Sequence, residues 1–146
     1  MRVREGMVGV VQRRGRPRLL PPGRHWLVPG LDRYVGVVDA GPQVRQVPVF
    51  TAVDRDGATV SLGLRLAWTV KDPVAAVTEI VRVAEGVEQL AVVSARNHVG
   101  AVGVEEVLVG SGALAEGVRE VLAEACQRWG VAVDRIEVTH LTRGHG

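Results

Sequence analysis

The sequence predicts an α+β domain, and three stretches carry that prediction. Residues 59–70, TVSLGLRLAWTV, alternate strictly: Val60, Leu62, Leu64, Leu66, Trp68 and Val70 fall on one parity, and Thr59, Ser61, Gly63, Arg65, Ala67 and Thr69 on the other. A period of two is the mark of a strand with one buried face. At Lys71-Asp72-Pro73 the pattern changes from sheet to helix, because Asp72 is a good N-cap and proline fits the first helical position. The third stretch, VAVDRIEVTHL at 131–141, alternates again. Strands, then helices, then a closing strand is an α+β order.

Taken in sequence, MVGVVQRR (7–14) predicts a short strand. RGRPRLLPPGRHW (14–26) predicts a loop, since Pro17, Pro21, Pro22 and Gly23 oppose regular pairing. RYVGVVDA (33–40) and VRQVPVFTAV (44–53) give two more strands, the second with Val47, Val49, Thr51 and Val53 on one face. Asp54-Arg55-Asp56-Gly57 then forms a hairpin loop in which Gly57 takes the positive φ that closes such turns. Residues 73–82, 84–99 and 104–109 predict helical pieces broken by Gly86, Gly100, Gly103 and Gly110. A longer helix follows Ser111, with Leu114, Val118, Val121, Leu122, Ala125 and Trp129 as one apolar stripe and Gly130 to end it. In the last strand Val131, Val133, Arg135, Glu137, Thr139 and Leu141 share a face. No repeat or low-complexity segment interrupts residues 1–146, which are taken as one domain.

A chain of 146 residues can bury about 68–70% of its unfolded surface, so it needs no metal or disulfide to fold. Its one cysteine, Cys126, excludes an intramolecular disulfide and falls at the edge of the apolar stripe, where it packs as a small hydrophobe unless it is modified. His25, His98, His140 and His145 lack paired-ligand spacing, so no metal and no cofactor is expected. Glu105-Glu106 and Asp54/Asp56 belong to a helix start and a turn rather than to an acid/base pair. The glycine-rich stretch 100–112 has no lysine for a phosphate, and Ser94 and Ser111 sit in no nucleophile elbow. No catalytic residue is therefore assigned, and an enzyme is not expected. The apolar runs are far shorter than the roughly 18 to 20 residues a spanning helix needs, and the N-terminus does not resemble a signal peptide, so the chain by itself is expected to be soluble.

Charge is uneven. Residues 1–33 hold eight arginines against Glu5 and Asp32, a net +6, and the rest of the chain carries −4. Such a basic end suits an anionic membrane, nucleic acid or plain solvation. The shortage of aromatics, three Trp with one Tyr and one Phe, argues against base stacking and so against single-stranded nucleic acid. Trp68 and Trp129 fit core positions. Trp26, in a proline-rich loop beside Leu19, Leu20 and Leu27, also fits a membrane or partner surface.

The succession REGMVGVVQRRGRP, PPGRHWLVPGLDRYVGVVD, QVRQVPV, TAVDRDGATVSLGLRLAWTVKDPVAAV, ARNHVGAVGVEEVL and EACQRWGVAVDRIEV resembles the Band 7 or SPFH domain, nearest its stomatin and slipin branch. The resemblance runs from about Val3 to Leu141. It implies a curved, mostly antiparallel sheet flanked by helices. It also implies a non-catalytic scaffold on the cytoplasmic side of a membrane, forming homo-oligomers and organising membrane microdomains or neighbouring channels and membrane proteases. Family members carry a hydrophobic membrane segment before the position of Val3 and a helical coiled coil after that of Leu141, both absent from this chain, and the helices after Asp72-Pro73 would hold assembly contacts. On this basis Arg13, Arg14, Arg16, Arg18, Leu19, Leu20 and Trp26 are the candidate contacts with an anionic membrane or a partner. Four arginines alone would give a dissociation constant of only about 1 mM, so attachment needs a hydrophobic anchor or many linked copies. A nucleic-acid-binding module using the same arginines is the alternative.

Overall fold

The central strand of the molecule is the one whose alternation is strictest. In a computed structural model describing residues 1–27, 29–39, 41–79 and 82–144, β7 (Thr59–Val70) lies between β6 (Pro42–Val53) and β8 (Val131–Arg143), antiparallel to both. Val60, Leu62, Leu64 and Leu66 are fully buried, with Trp68 and Val70 nearly so, while Arg65 on the other parity is exposed. The helices cover that inward row. In α2 (Val83–Gly100) the buried residues Val87, Ala91, Ala95 and Val99 recur every four positions. In α4 (Ser111–Gln127) Leu114, Val118, Leu122 and Cys126 do the same. Residues four apart stand one above another on a helix, so each helix presents a narrow straight row to the sheet and to its neighbour. α4 packs on β8 and on α2, and α2 packs on β6.

The other strands form two smaller antiparallel sheets, so the sheet expected from the sequence is realised as three. One has the order β3-β2-β5, with β2 (Met7–Arg13), β3 (Arg16–Leu20) and β5 (Asp32–Asp39); the other pairs β1 (Arg2–Val3) with β4 (Gly23–Arg24). Buried Val3, Val11 and Leu20, with Met7 and Leu27 against them, form a small separate core. Here the expected loop at 14–26 is corrected. Residues 16–20 pair with β2 and 23–24 with β1. Because β3 is an edge strand, Pro17 can sit in it where its missing N–H faces away from the neighbouring strand.

Bulges correct two of the predicted faces. In β6, Val47 lies opposite Leu64 and Phe50 opposite Leu62, so one extra residue on β6 reverses the side-chain parity. Val47 is buried, while Val49, Thr51 and Val53 are exposed. In β8 two register shifts do the same. Val131, Val133, Ile136, Val138 and Leu141 lie opposite Val70, Trp68, Leu66, Leu64 and Leu62, and Arg135 and Glu137 pair with the outward Ala67 and Arg65.

The helix boundaries follow their chemistry with two changes. Asp72 caps α1 (Pro73–Glu79), its Oδ1 accepting the Ala75 N–H at 3.2 Å. Ile80 and Val81, in the expected extension of this helix, lie outside the described residues, as do Ala40 of the predicted strand 33–40 and His145. Gly86 does not interrupt α2; α3 (Val104–Val109) occupies its predicted span. The stripe of α4 runs through Cys126 rather than Val121, Ala125 and Trp129. Val121 is exposed, and Trp129 is half-buried in the segment after the helix. There Gly130 takes φ +66, and a Cβ on it would come within 2.5 Å of the Asp72 Cβ. Its carbonyl accepts the N–H groups of Lys71 and Asp72, tying the start of α1 to the entry of β8.

These burials order the effects of truncation. Leu64→Ala is expected to cost about 2 to 5 kcal/mol and Trp68→Ala about 3 to 5 kcal/mol. Trp26→Ala, at a side chain 95% exposed, should stay within about 0.5 kcal/mol. Trp129→Ala should fall between them. Urea unfolding of the four variants gives the order directly, and a Trp26 variant as unstable as the Trp68 variant would contradict the burial.

Candidate functional site

The candidate residues gather on the β3-β2-β5 sheet and the segment after β4. β2 and β3 are joined by the two-residue turn Arg14-Gly15, with φ of 53 and 76. Two positive φ values in succession are what a type I′ hairpin demands. Register then fixes the partners: Arg13 opposite Arg16, Gln12 opposite Pro17, Val11 opposite Arg18 and Val10 opposite Leu19. On the far side of β2, Arg13 lies opposite Asp32 of β5.

Asp32 sets Arg13 apart from the other arginines. Arg13 Nε and Nη2 donate to Asp32 Oδ1 and Oδ2 at 2.6 and 2.8 Å, a two-pronged fork onto a carboxylate whose side chain is only 1% exposed. Donating to Asp32 raises the Arg13 pKa against the opposing effect of burial, so the guanidinium is permanently charged and its charge is countered locally. Arg14, Arg16 and Arg18 are exposed and, among the described residues, have no carboxylate partner. With Arg13 and Pro17 they line an open cleft of about 570 Å³.

Of the apolar candidates, Leu19 is exposed and Trp26 stands almost fully in solvent. Leu20 is the correction. It is 4% exposed and packs with Val3 and Val11, because its strand partner is Gly9 and it points into the small core. It therefore holds the hairpin in place and cannot touch a membrane or partner. Exposed residues that sequence reasoning missed are Leu31, Tyr34 and Val37. The signal for Tyr34 and Val37 was present in RYVGVVD, which is apolar on both parities, as suits a sheet with α1 against one face and the small core against the other. Tyr34, Val37, Leu27 and Met7 line a second groove, of about 480 Å³, together with Arg2 and Arg4.

Two further groups are structural. Asp54, at the β6–β7 loop, is buried: its Oδ1 accepts the N–H groups of Asp56 and Ala58 at 2.9 and 2.7 Å, and its Oδ2 accepts that of Val104 at 2.7 Å. Burial alone would disfavour the charge, but these backbone donors outweigh it and hold the carboxyl below its ordinary range. The loop spans 54–58, and Gly57 has the expected positive φ of 87. Cys126 is fully buried, and burial pushes its thiol up to about 11. Among the described residues no group of three or more His, Cys, Asp or Glu is placed to hold a metal, and no helix is long and apolar enough to cross a membrane.

An α+β domain of antiparallel sheets flanked by helices and closing in a C-terminal strand is what the Band 7 resemblance implies, and direct comparison agrees. The chain belongs to the SPFH domain / Band 7 family, which it matches over residues 1–144. It is 35% identical over 130 residues to an uncharacterised protein of Mycobacterium tuberculosis, covering 88% of this chain and 34% of that one. It is also similar to a stomatin homologue of Pyrococcus horikoshii, 27% identical over 117 residues, with 80% of this chain and 44% of the relative covered. The protein unc-1 of Caenorhabditis elegans is 29% identical over 117 residues, covering 80% of this chain and 41% of its own. The chain thus spans between about a third and a half of these relatives.

Asp54 generates a prediction with a definite sign. Its folded pKa is depressed, so its contribution is present above the ordinary carboxyl range and lost as pH falls through the depressed value. Asp54→Asn should lower the melting temperature at neutral pH and flatten the acid limb of the stability curve, whereas Asp56→Asn, exposed in the same loop, should do neither. Melting curves across the acid range measure both. Loss of equal size in the two variants would show that Asp54 does not organise the loop.

Proposed function

We propose that this chain is the SPFH domain of a stomatin-type scaffold: non-catalytic, held at a membrane surface in multiple copies, and organising neighbouring membrane proteins. The observation that carries this reading is the family match along nearly the whole chain, with a stomatin homologue among the relatives. The structure adds support of two kinds. Uncountered arginines and exposed Leu19, Trp26 and Leu31 occupy the N-terminal sheet and the segment leading to it, a mixture of cationic and amphipathic side chains suited to an anionic lipid interface. At the helical end, Val93 on α2, Val109 on α3 and Val121 on α4 remain exposed and suit contacts between copies.

On this reading a single copy binds weakly and linked copies bind well. Fusing the chain to a trimeric coiled coil should convert marginal binding to phosphatidylserine vesicles into stable co-flotation, with neutral phosphatidylcholine vesicles ignored. Raising salt from about 0.1 to 1 M, which shortens the Debye length from about 10 to 3 Å, should release it. Equal flotation with both vesicle types would remove the membrane role of this surface. Preference for duplex DNA over phosphatidylserine vesicles at the same salt would favour a nucleic-acid module instead.

A further inference from the structure

The β2–β3 hairpin makes two choices that cost stability and contribute nothing to either core. Arg13 and Arg16 are directly opposite across the strands, a pairing of like charges relieved, among the described residues, only by Asp32 on the far side of Arg13. Arg14 adopts φ 53 in the left-handed region, where glycine or asparagine would be easier. Unfavourable local choices held in place by the surrounding fold are grounds for a functional hypothesis. We infer that this hairpin is a phosphate-recognising clamp, in which Arg16 and Arg18, with Arg14 at the tip, grip a multiply charged phosphoryl group beside the fixed Arg13–Asp32 fork.

The geometry follows from register. Cross-strand partners share a face, as do residues two apart on one strand, so Arg18, Arg16, Arg13 and Asp32 project from one face of the sheet. Cβ atoms of opposed residues lie about 5 Å apart and those two along a strand about 6.7 Å apart, which lets three guanidiniums converge on one phosphorylated group. The fork onto Asp32 uses Nε and Nη2 of Arg13, and Arg13 also lines the cleft. A guanidinium fork matches two phosphoryl oxygens at once, and several such forks reward a group with several phosphates over a single dispersed charge. The cleft is open and lined by hairpin residues alone, four arginines and Pro17. Leu31, 40% exposed, immediately precedes Asp32 in the chain and is an exposed aliphatic neighbour of the fork. That neighbour suits a phosphorylated lipid headgroup at an acyl boundary and is wasted against a phosphodiester backbone. The lipid source rests on the membrane-surface reading above, whereas the phosphate chemistry stands without it.

The test uses the 146-residue chain with two probes: free inositol trisphosphate by calorimetry, and phosphatidylcholine vesicles containing either phosphatidylinositol bisphosphate or phosphatidylserine at matched total surface charge. The chain should bind the free trisphosphate and prefer the bisphosphate vesicles. The double variant Arg16→Gln/Arg18→Gln should weaken both by about 25-fold, roughly fivefold per arginine, and should melt no lower than the wild type, since both side chains are exposed. Arg33→Gln, exposed and opposite Gln12 on the other face, should change binding by less than about twofold at physiological salt. Binding of the trisphosphate without binding to bisphosphate vesicles would keep the clamp and remove the membrane reading. Equal binding to the two charge-matched vesicles, or an Arg33→Gln loss as large as that of the double variant, would overturn the clamp and leave diffuse attraction to the membrane. Failure to bind the trisphosphate, or stronger binding of duplex DNA, would also overturn it.

Discussion

Everything in the larger part of the molecule depends on β7 being paired along both edges. A strand bonded to β6 and β8 has its backbone groups satisfied within the sheet, and its only remaining demand is a cover for its inward row. Six large apolar side chains, from Val60 to Val70, make that demand along its whole length. The two long helices meet it with rows of small or medium residues. Ala91 and Ala95 of α2 let the helix come close, and Leu114, Val118 and Leu122 of α4 fill the space over β8. The loops are then fixed by hydrogen bonds rather than by bulk. Asp54 joins the β6–β7 loop to α3, and the Gly130 carbonyl joins the start of α1 to β8.

That dependence explains what could be read in the sequence. β7 was legible residue by residue because a strand paired on both edges has no freedom to slip or bulge without exposing its apolar row. The Asp72-Pro73 switch and the span of α3 were legible because capping chemistry is local. The faces of β6 and β8 were not, since each takes up extra residues as bulges against a regular partner, and strict alternation cannot survive an insertion. The signal lay in the unequal spacing of Val131, Val133, Ile136, Val138 and Leu141, which keeps apolar residues inward only if the strand bulges twice. The proline-rich segment misled for a different reason. Proline excludes a central strand, but β3 is an edge.

The candidate site was legible in its charge and not in its geometry. Eight arginines within 33 residues are visible in any sequence, yet nothing in the sequence separates Arg13, bound to a buried carboxylate 19 positions away, from Arg16 and Arg18, which have none among the described residues. Leu19 and Leu20 are equally ambiguous as neighbours. Alternation along β3 sends one outward and the other into the small core with Val3 and Val11. That core is what allows the basic hairpin to exist. A two-stranded arm is marginal by itself, and β5 on one side with Leu20 beneath gives Arg14, Arg16 and Arg18 a support that does not draw on their charges.

The Asp32 fork also weakens the site as an anchor. With Arg13 countered, three arginines remain, and at the usual increment for a basic residue near an anionic surface they would hold one copy with a dissociation constant of only several millimolar, roughly. Weakness of this order has a consequence for a scaffold. A lone domain would leave the surface quickly, while domains linked in an assembly would rebind before all had detached, so attachment would rise steeply with the number of copies. Stronger single-copy binding would hold unassembled chains at the membrane as firmly as assembled ones. On the proposed function, a hairpin that grips weakly and selectively through the exposed Arg14, Arg16 and Arg18, which belong to neither core, makes membrane residence a consequence of assembly.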